Sequence, residues 1–321
     1  MIEGDTMIKV RGAKYVVYGV SDPAKTSRFM EDFGLAPVAW QGESAYLRGA
    51  LPAPYVYVAE KSDAPSLKAF GLEVESAEDL ARATQIDGAS TIHDLDRPGG
   101  GQVVEVFLPG GIKLELVHGI ADAAPLPIEA PLVINEGLRK ARFNAAQRPA
   151  RVPAQVLRLG HVVLGVPDPV AAKDWAVRNL GMIVSDAMLV PGSKDDFVGF
   201  FMRCDRGRTP CDHHTLLITQ AASPSVHHIA FEVQDIDTVF MGHEWMKGAE
   251  HRPHWGVGRH VLGSQVFGYW WDPDGFRVEH YADGDVYDSS VPATTVEGTH
   301  DQLWAWGPEV PHTFFQQTRE T

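Results

Sequence analysis

The chain has 321 residues, of which 44% are hydrophobic and 22% charged, and a formal net charge of −14. This composition is that of an ordinary globular protein, and the length allows two domains with a core each. The negative charge argues against a nucleic-acid or anionic-membrane partner, because both are bound through clustered Lys and Arg. No apolar run approaches the ~20 residues that cross a bilayer, and residues 1–5 do not resemble a signal peptide. We therefore expect a cytoplasmic protein.

Short β-rich stretches alternate with helical patterns along the whole chain. Asp22 and Asp168 suit the N-cap of a helix, and each precedes a proline that suits the first helical position. The pattern in each half is two strand-helix-strands units, which predicts an α+β protein of four βαβββ modules in two tandem domains. The predicted helices are 23–33, 77–84, 169–180 and 236–247.

The predicted boundaries divide the chain into four parts. Residues 1–120 would form an N-terminal domain of two modules, and residues 154–284 a C-terminal domain of two more. Between them, 121–153 is the expected linker, with a helix predicted over 135–146. The final part, 285–321, contains four large aromatic residues, which favours packing over the fold as a lid because exposed aromatic surface is costly.

The two halves repeat one another in sequence, but candidate metal ligands differ between them. Residues 159–169, 228–233 and 272–279 echo 13–23, 69–74 and 108–115, and twelve of the 14 histidines lie at or after position 161. Duplicated halves share a backbone plan, so residues that differ point to what one half does alone. The aligned pairs are His161 with Tyr15, His228 with Ala69, and Glu279 with Glu115.

The second half thus combines two histidines with a carboxylate. Side chains alternate along a strand, so His161 shares a face with Val163, and His228 with Ala230. Two neutral imidazoles and one carboxylate hold Fe(II) while leaving neighbouring coordination positions open. A single histidine in a strand is more often a hydrogen-bonded structural residue. The coincidence of all three at corresponding module positions favours a metal site.

Further motifs surround these ligands in the sequence. Gly258-Arg259-His260 is followed by Tyr269 and then Glu279, and His214 precedes His228. In these residues the chain resembles the type I extradiol ring-cleaving dioxygenases of the vicinal oxygen chelate superfamily, over about residues 11–285. The resemblance implies that His161, His228 and Glu279 bind iron and that the N-terminal domain is a metal-free duplicate. It also implies that each domain is a curved, half-open barrel of mixed sheet, as in glyoxalases.

The resemblance also implies roles for the other site residues. His214 would be the general acid-base, Tyr269 would hydrogen-bond the substrate oxygen on the metal, and His260 would support the substrate. His213 remains the alternative to His214. The implied cofactor is Fe(II), with Mn(II) in some relatives, and the implied reactants are dioxygen and a catecholic or polyhydroxylated aromatic compound. Homo-oligomers are common among the proteins that this chain resembles.

Two other functions on the same fold stay open. A glyoxalase-like isomerase usually needs a further carboxylate or glutamine ligand, which Tyr15 and Ala69 cannot supply. A ligand-sequestering module without catalysis would have no reason to assemble His214, His260 and Tyr269 around a metal.

The cysteines give a weaker signal. Cys204 and Cys211 are too few for a disulfide framework. Together with His213 and His214 they could suggest a zinc site, but their spacing lacks the usual short knuckle. The sequence therefore disfavours zinc at this place.

Overall fold

The computed structural model describes residues 8–315, which form two large mixed sheets with two helices in each half. In this part of the chain, no helix has the length and apolar character needed to span a membrane. The first sheet uses the strands β1 Val10–Val20, β2 Ala36–Gln41, β3 Ser44–Arg48, β4 Tyr57–Lys61, β5 Ser66–Val74, β6 His93–Asp94, β7 Gln102–Leu108 and β8 Ile112–His118.

The second half contains the strands β9 Val156–Val166, β10 Met182–Leu189, β11 Phe197–Cys204, β12 Cys211–Asp212, β13 Leu216–Gln220, β14 Ser225–Val233, β15 Pro253–Arg259, β16 Val266–Trp271, β17 Arg277–Ala282, β18 Val286–Tyr287 and β19 Thr294–Glu297. The helices are α1 Pro23–Asp32, α2 Ala77–Ala83, α3 Pro169–Leu180 and α4 Ile236–Gly248. Two 3-10 turns, His300–Gln302 and His312–Phe315, lie in the C-terminal segment.

The two large sheets have the same strand order. The first runs β2-β3-β4-β1-β5-β8-β7-β6, and the second runs β10-β11-β13-β9-β14-β17-β16-β15, with β19 added beside β10. In both, the leading strand lies between a parallel and an antiparallel partner. The duplication is therefore present in the backbone, and the predicted α+β architecture of two tandem mixed sheets is confirmed.

The helices that follow the two leading strands begin where the sequence predicts. Asp22 accepts a hydrogen bond from the backbone N–H of Lys25 at 3.0 Å, and Asp168 accepts one from that of Ala171 at 2.9 Å. These caps satisfy backbone donors that the first turn of a helix leaves free. Behind the helices, alternate residues of β9 are fully buried in a hydrophobic core that continues through both halves.

The connection between the sheets contains no helix over 135–146, so that prediction was wrong. Asn135 instead closes a loop, because its side chain donates to the backbone oxygen of Arg142 and accepts from the N–H of the same residue. Asn144 has φ of 52°, a left-handed conformation that no α-helix contains. Asparagine side chains form hydrogen bonds with backbone groups that a helix would otherwise use, and here the bonds of Asn135 replace the helix.

The C-terminal segment contributes to the second sheet. Strand β19 runs parallel to β10, and the short strand β18 pairs with β12. The fully buried guanidinium of Arg203 donates to the backbone oxygen of Val291 at 2.6 Å and so ties this segment to β11. The segment is thereby directed along the edge of the sheet and back over its open face.

Candidate metal centre and its cavity

One row of side chains crosses four strands of the second sheet. In the strand register, His161 of β9 lies opposite Ala230 of β14, Ala230 opposite Glu279 of β17, and Glu279 opposite Tyr269 of β16. His228 is two residues before Ala230 and therefore points to the same face. Pairing of β9, β14 and β17 thus brings together three side chains that are far apart in sequence.

The three candidate ligands converge in the interior. The Nε2 atoms of His161 and His228 lie 3.4 and 3.1 Å from Oε2 of Glu279, and one ligand atom from each residue lies within 4.8 Å of the other two. All three are buried, and Glu279 is 0% exposed. Among the described residues, neither carboxylate oxygen receives a hydrogen bond. A buried carboxylate without donors is costly, so this donor set fits a cation.

The tautomer of His228 also fits a metal ligand. Nε2 of His227 lies 2.5 Å from the backbone oxygen of Phe314, and the two Nδ1 atoms of His227 and His228 are 2.7 Å apart. A carbonyl oxygen can only accept a hydrogen bond, so His227 carries its proton on Nε2. Nδ1 of His227 is then unprotonated and accepts a hydrogen bond from Nδ1–H of His228. His228 then directs the lone pair of Nε2 at Glu279. Two acceptors 3.1 Å apart fit a metal ion bound to both.

The protonation state of His228 agrees with this assignment. Burial lowers the pKa of His228 to about 4, although the neighbouring Glu279 carboxylate opposes the shift. The imidazole is therefore neutral near pH 7, which is the form that binds a metal.

In the first half, protein side chains occupy the position that corresponds to the candidate metal centre. Tyr15 donates a hydrogen bond to Glu115 at 2.5 Å, and Arg97 donates to the same carboxylate at 2.6 Å. Burial raises the pKa of Glu115, but its hydrogen bond to Arg97 and the charge of that residue outweigh burial and lower it. Arg97 therefore supplies the positive charge that the carboxylate needs, which explains why Glu115 persists in a half without the two histidines.

A cavity of about 370 Å³ opens on the ligand row. It is within the size range of pockets that hold small molecules, ~300–1,000 Å³. Its lining includes five of the six residues expected in the site, namely His161, His214, His228, His260 and Tyr269. Glu279, the sixth, lies beneath them.

Tyr269 and His260 form a hydrogen-bonded pair at this cavity. His260 lies with Nδ1 2.6 Å from the backbone oxygen of Leu303 and with Nε2 2.9 Å from the Tyr269 hydroxyl. Nδ1 of His260 must donate to the carbonyl oxygen, so its Nε2 accepts a hydrogen bond from the hydroxyl group of Tyr269. Burial raises the pKa of Tyr269 well above its usual value, so the hydroxyl stays protonated.

His214 ends a second chain of hydrogen bonds. Its ring centroid is 4.1 Å from that of His161, its Nδ1 lies 3.0 Å from Nδ1 of His213, and Nε2 of His213 lies 2.6 Å from Asp186. Burial raises the pKa of Asp186, but hydrogen bonds from His213 and Thr294 outweigh it and lower the pKa. The ionised Asp186 accepts a hydrogen bond from Nε2–H of His213, whose Nδ1 in turn accepts a hydrogen bond from Nδ1–H of His214. His214 is left with its lone pair on Nε2.

The two histidine doublets, 213–214 and 227–228, therefore have the same design. The first histidine of each is anchored by an oxygen atom and fixes the tautomer of the second, which lines the cavity. Sequence reasoning missed two of these partners, Asp186 and the backbone oxygen of Phe314. The doublets were the available signal, because a second adjacent histidine is an expected partner for a ligand or proton-transfer histidine.

The role of His227 can be tested directly. We expect His227→Phe to lower the affinity for a divalent metal by ~10–100-fold, the usual effect of removing a partner that orients a ligand. Chelator competition on the purified protein measures this affinity. The control is His254→Phe, since His254 also packs on Phe314 but makes its hydrogen bond to Thr313. Equal affinities in the two variants would contradict the assignment.

Comparisons with known proteins agree with the observed fold. Residues 158–280 match the family model of the Glyoxalase/Bleomycin resistance protein/Dioxygenase superfamily. The matched stretch includes His161, His228 and Glu279, so the part of the chain that contains the candidate metal ligands is similar to that superfamily.

Particular relatives extend the comparison. The chain is 35% identical to Metapyrocatechase 2 of Cupriavidus necator over 179 residues, 54% of this chain and 52% of the relative. The match thus spans about half the length of that relative. Among solved structures, a Mn(II)-bound glyoxalase from Novosphingobium aromaticivorans has a TM-score of 0.79 and 24% identity, over 96% of this chain and 94% of the other. An anaerobic substrate complex of homoprotocatechuate 2,3-dioxygenase from Brevibacterium fuscum has a TM-score of 0.80 and 20% identity, over 99% and 95%. The chain therefore shares the fold of these two solved structures over nearly its whole length.

Proposed function

We propose that this protein is an extradiol ring-cleaving dioxygenase, which opens a catecholic or polyhydroxylated aromatic ring with dioxygen. One observation carries the proposal: the candidate ligands His161, His228 and Glu279 lie at the same cavity as the imidazole of His214 and the hydroxyl of Tyr269. The resemblance to a metapyrocatechase over 179 residues supports it. The N-terminal half, in which Arg97 binds the Glu115 carboxylate, would have no metal of its own.

The proposed cofactor is Fe(II), with Mn(II) as the alternative. Two imidazoles and one carboxylate form the ligand set typical of non-haem Fe(II) oxygenases. When bound, the metal supplies a positive charge and open positions for both diol oxygens and for dioxygen. The neutral imidazole of His228 and the ionised carboxylate of Glu279, both held in these states by their lowered pKa values, suit such an ion.

The residues around the cavity would accept protons from the diol and return them during the reaction. His214 has an unprotonated Nε2 that can accept a proton from one substrate hydroxyl and return it to an oxygen later in the reaction. Tyr269, held by His260, offers a hydroxyl that can interact with the other substrate oxygen. The carbon–carbon bond beside the diol breaks, both atoms of dioxygen enter the product, and the ring supplies the electrons. No flavin or nicotinamide is therefore required.

The test is turnover of a diol by metal-loaded protein. Protein loaded anaerobically with Fe(II) is mixed with catechol or a substituted catechol and then exposed to air. We expect a yellow ring-fission product and oxygen uptake in equal amounts. No product across a broad diol panel, with iron occupancy measured in the same sample, would contradict the proposal. Metal-dependent isomerisation without oxygen uptake would favour the glyoxalase-like alternative, and tight diol binding without turnover would favour a sequestering module.

The C-terminal segment would act as a lid on the cavity. Leu303, Phe314 and Phe315 all line it, and the Phe315 side chain is 57% exposed at its mouth. Deleting 285–321 would also remove β18 and β19, so a point variant is the sharper test. We expect Phe315→Ala to raise KM several-fold with unchanged metal affinity, because the Phe314 carbonyl that anchors His227 stays in place. An unchanged KM, or a parallel loss of metal, would count against a lid.

We also propose a cytoplasmic homo-oligomer. The connection between the sheets exposes Leu138 fully and Phe143 to 81%. These side chains support an oligomer because a monomer would leave them in water.

A further inference from the structure

A second row of side chains lies next to the ligand row on the same face. Val163, two residues after His161, lies opposite Leu217 of β13 and opposite His228 of β14, and Leu217 lies opposite Phe201 of β11. Val163, Leu217 and Phe201 all line the cavity. The floor of the cavity beyond the ligands is therefore apolar.

Around this floor, the cavity is lined by further apolar residues and by side chains with hydroxyl, amide or imidazole groups, such as Gln220, Gln265 and His300. Met188 of β10 and Val198 of β11 add apolar surface. The next row of the sheet has Thr219 and Ser225, both opposite Gly165. Among the described residues that line the cavity, none is a lysine or an arginine.

The buried cation near the ligand row is directed elsewhere. Arg277 is 1% exposed and lies two residues before Glu279. Its guanidinium donates hydrogen bonds to the backbone oxygens of Phe314 at 3.0 Å and Thr313 at 3.1 Å. It therefore holds the C-terminal segment in place and is no partner for a group on the cavity floor.

This arrangement discriminates between ring substituents. A carboxylate that is taken from water onto the floor formed by Val163, Leu217 and Phe201 has no cation and no donor side chain on that surface, so its desolvation opposes binding there. An apolar substituent gains free energy on the same surface in proportion to the area that it buries. The cavity volume of about 370 Å³ leaves space for a substituent beside a single ring.

We infer that the cavity selects diols whose ring substituent is uncharged and apolar and that it rejects carboxylated diols. The inference rests on the proposed function and specifies its substrate class. Val163, Leu217 and Phe201 are the specificity-determining residues, since they form the surface next to the ligand row.

A series of three diols of similar shape tests the inference. The compounds are 4-propylcatechol, 3,4-dihydroxyphenylacetamide and 3,4-dihydroxyphenylacetate, which present apolar, neutral polar and anionic groups at one position. We expect kcat/KM to fall in that order, with the propyl compound exceeding the carboxylate on the order of 100-fold. Dissociation constants measured without oxygen on the metal-loaded protein should follow the same order.

A matched pair of variants then tests whether the cavity floor determines this selectivity. Leu217→Lys places a cation on the floor and should raise kcat/KM for the carboxylate relative to the propyl compound by at least ten-fold. Leu217→Met, which keeps an apolar side chain of similar volume, should retain the original order. Should Leu217→Lys fail to fold, the series on the unaltered protein still decides the matter.

The outcomes separate this inference from the proposed function. Equal or better turnover and binding of the carboxylate would overturn the inference and leave ring cleavage standing. Absence of turnover for all three diols, with the metal bound, would contradict the proposed function.

Discussion

The variant Glu279→Gln should lose bound metal and ring cleavage together. The carboxylate is the anionic member of the ligand set, is 0% exposed, and lies 3.1 and 3.4 Å from the two imidazole Nε2 atoms. Glutamine keeps the shape but removes the charge, so the two neutral imidazoles alone must compensate for desolvation of the ion. We expect the loss of affinity to exceed the ~10–100-fold that follows removal of a ligand's hydrogen-bonding partner.

The repeat offers a matched control for this substitution. Glu115→Gln changes the equivalent residue of the first half, which is bound to Tyr15 and Arg97. It should lower stability, because it leaves the half-buried Arg97 without its full counter-charge, yet leave metal content and turnover unchanged. Metal analysis, oxygen uptake and thermal unfolding measure the three quantities. Metal content retained in Glu279→Gln would refute the assigned site.

The second large effect is expected at His214. His214→Asn should lower kcat by ~10²–10⁴-fold, the range typical of a general acid-base, with unchanged metal content. Asparagine occupies similar space and can bond to His213, but it cannot accept and return a proton near pH 7. Single-turnover kinetics on the metal-loaded variant would show whether the chemical step is the one that slows.

His213 provides the comparison that tests the hydrogen-bonded chain. His213→Asn removes the link to Asp186 while His214 stays in the cavity. We expect a loss of about ten-fold in kcat, smaller than for His214→Asn, because proton transfer continues with a less well oriented imidazole. A larger loss in His213→Asn than in His214→Asn would reverse the two roles.

Local patterns in the sequence were sufficient for the helix starts and the ligand faces. Asp22 and Asp168 cap their helices through residues only three positions away, and alternation along β9 directs His161 away from the core. Both effects act over a few residues, so they can be predicted without the fold. Comparison of the two halves added the candidate ligands, since Tyr15 and Ala69 stand where the second half has histidines.

The linker shows the limit of such local reasoning. An alanine-containing stretch predicted a helix over 135–146, but the side chain of Asn135 closed a loop with Arg142. Helix propensity is a weak preference. Because no helix face is packed against the fold here, two hydrogen bonds from one side chain were enough to favour the loop over a helix.

The amino-acid sequence by itself determined the periodic elements, the repeat and the types of ligand, because these depend on neighbours along the chain. Only the tertiary structure decided which oxygen fixes each histidine doublet: Asp186 lies 27 residues from His213, and Phe314 lies 87 residues from His227. It also placed Arg97 on Glu115 and an apolar floor beside the ligands. Such contacts depend on strand order and on the path of the C-terminal segment, and no short-range pattern encodes either.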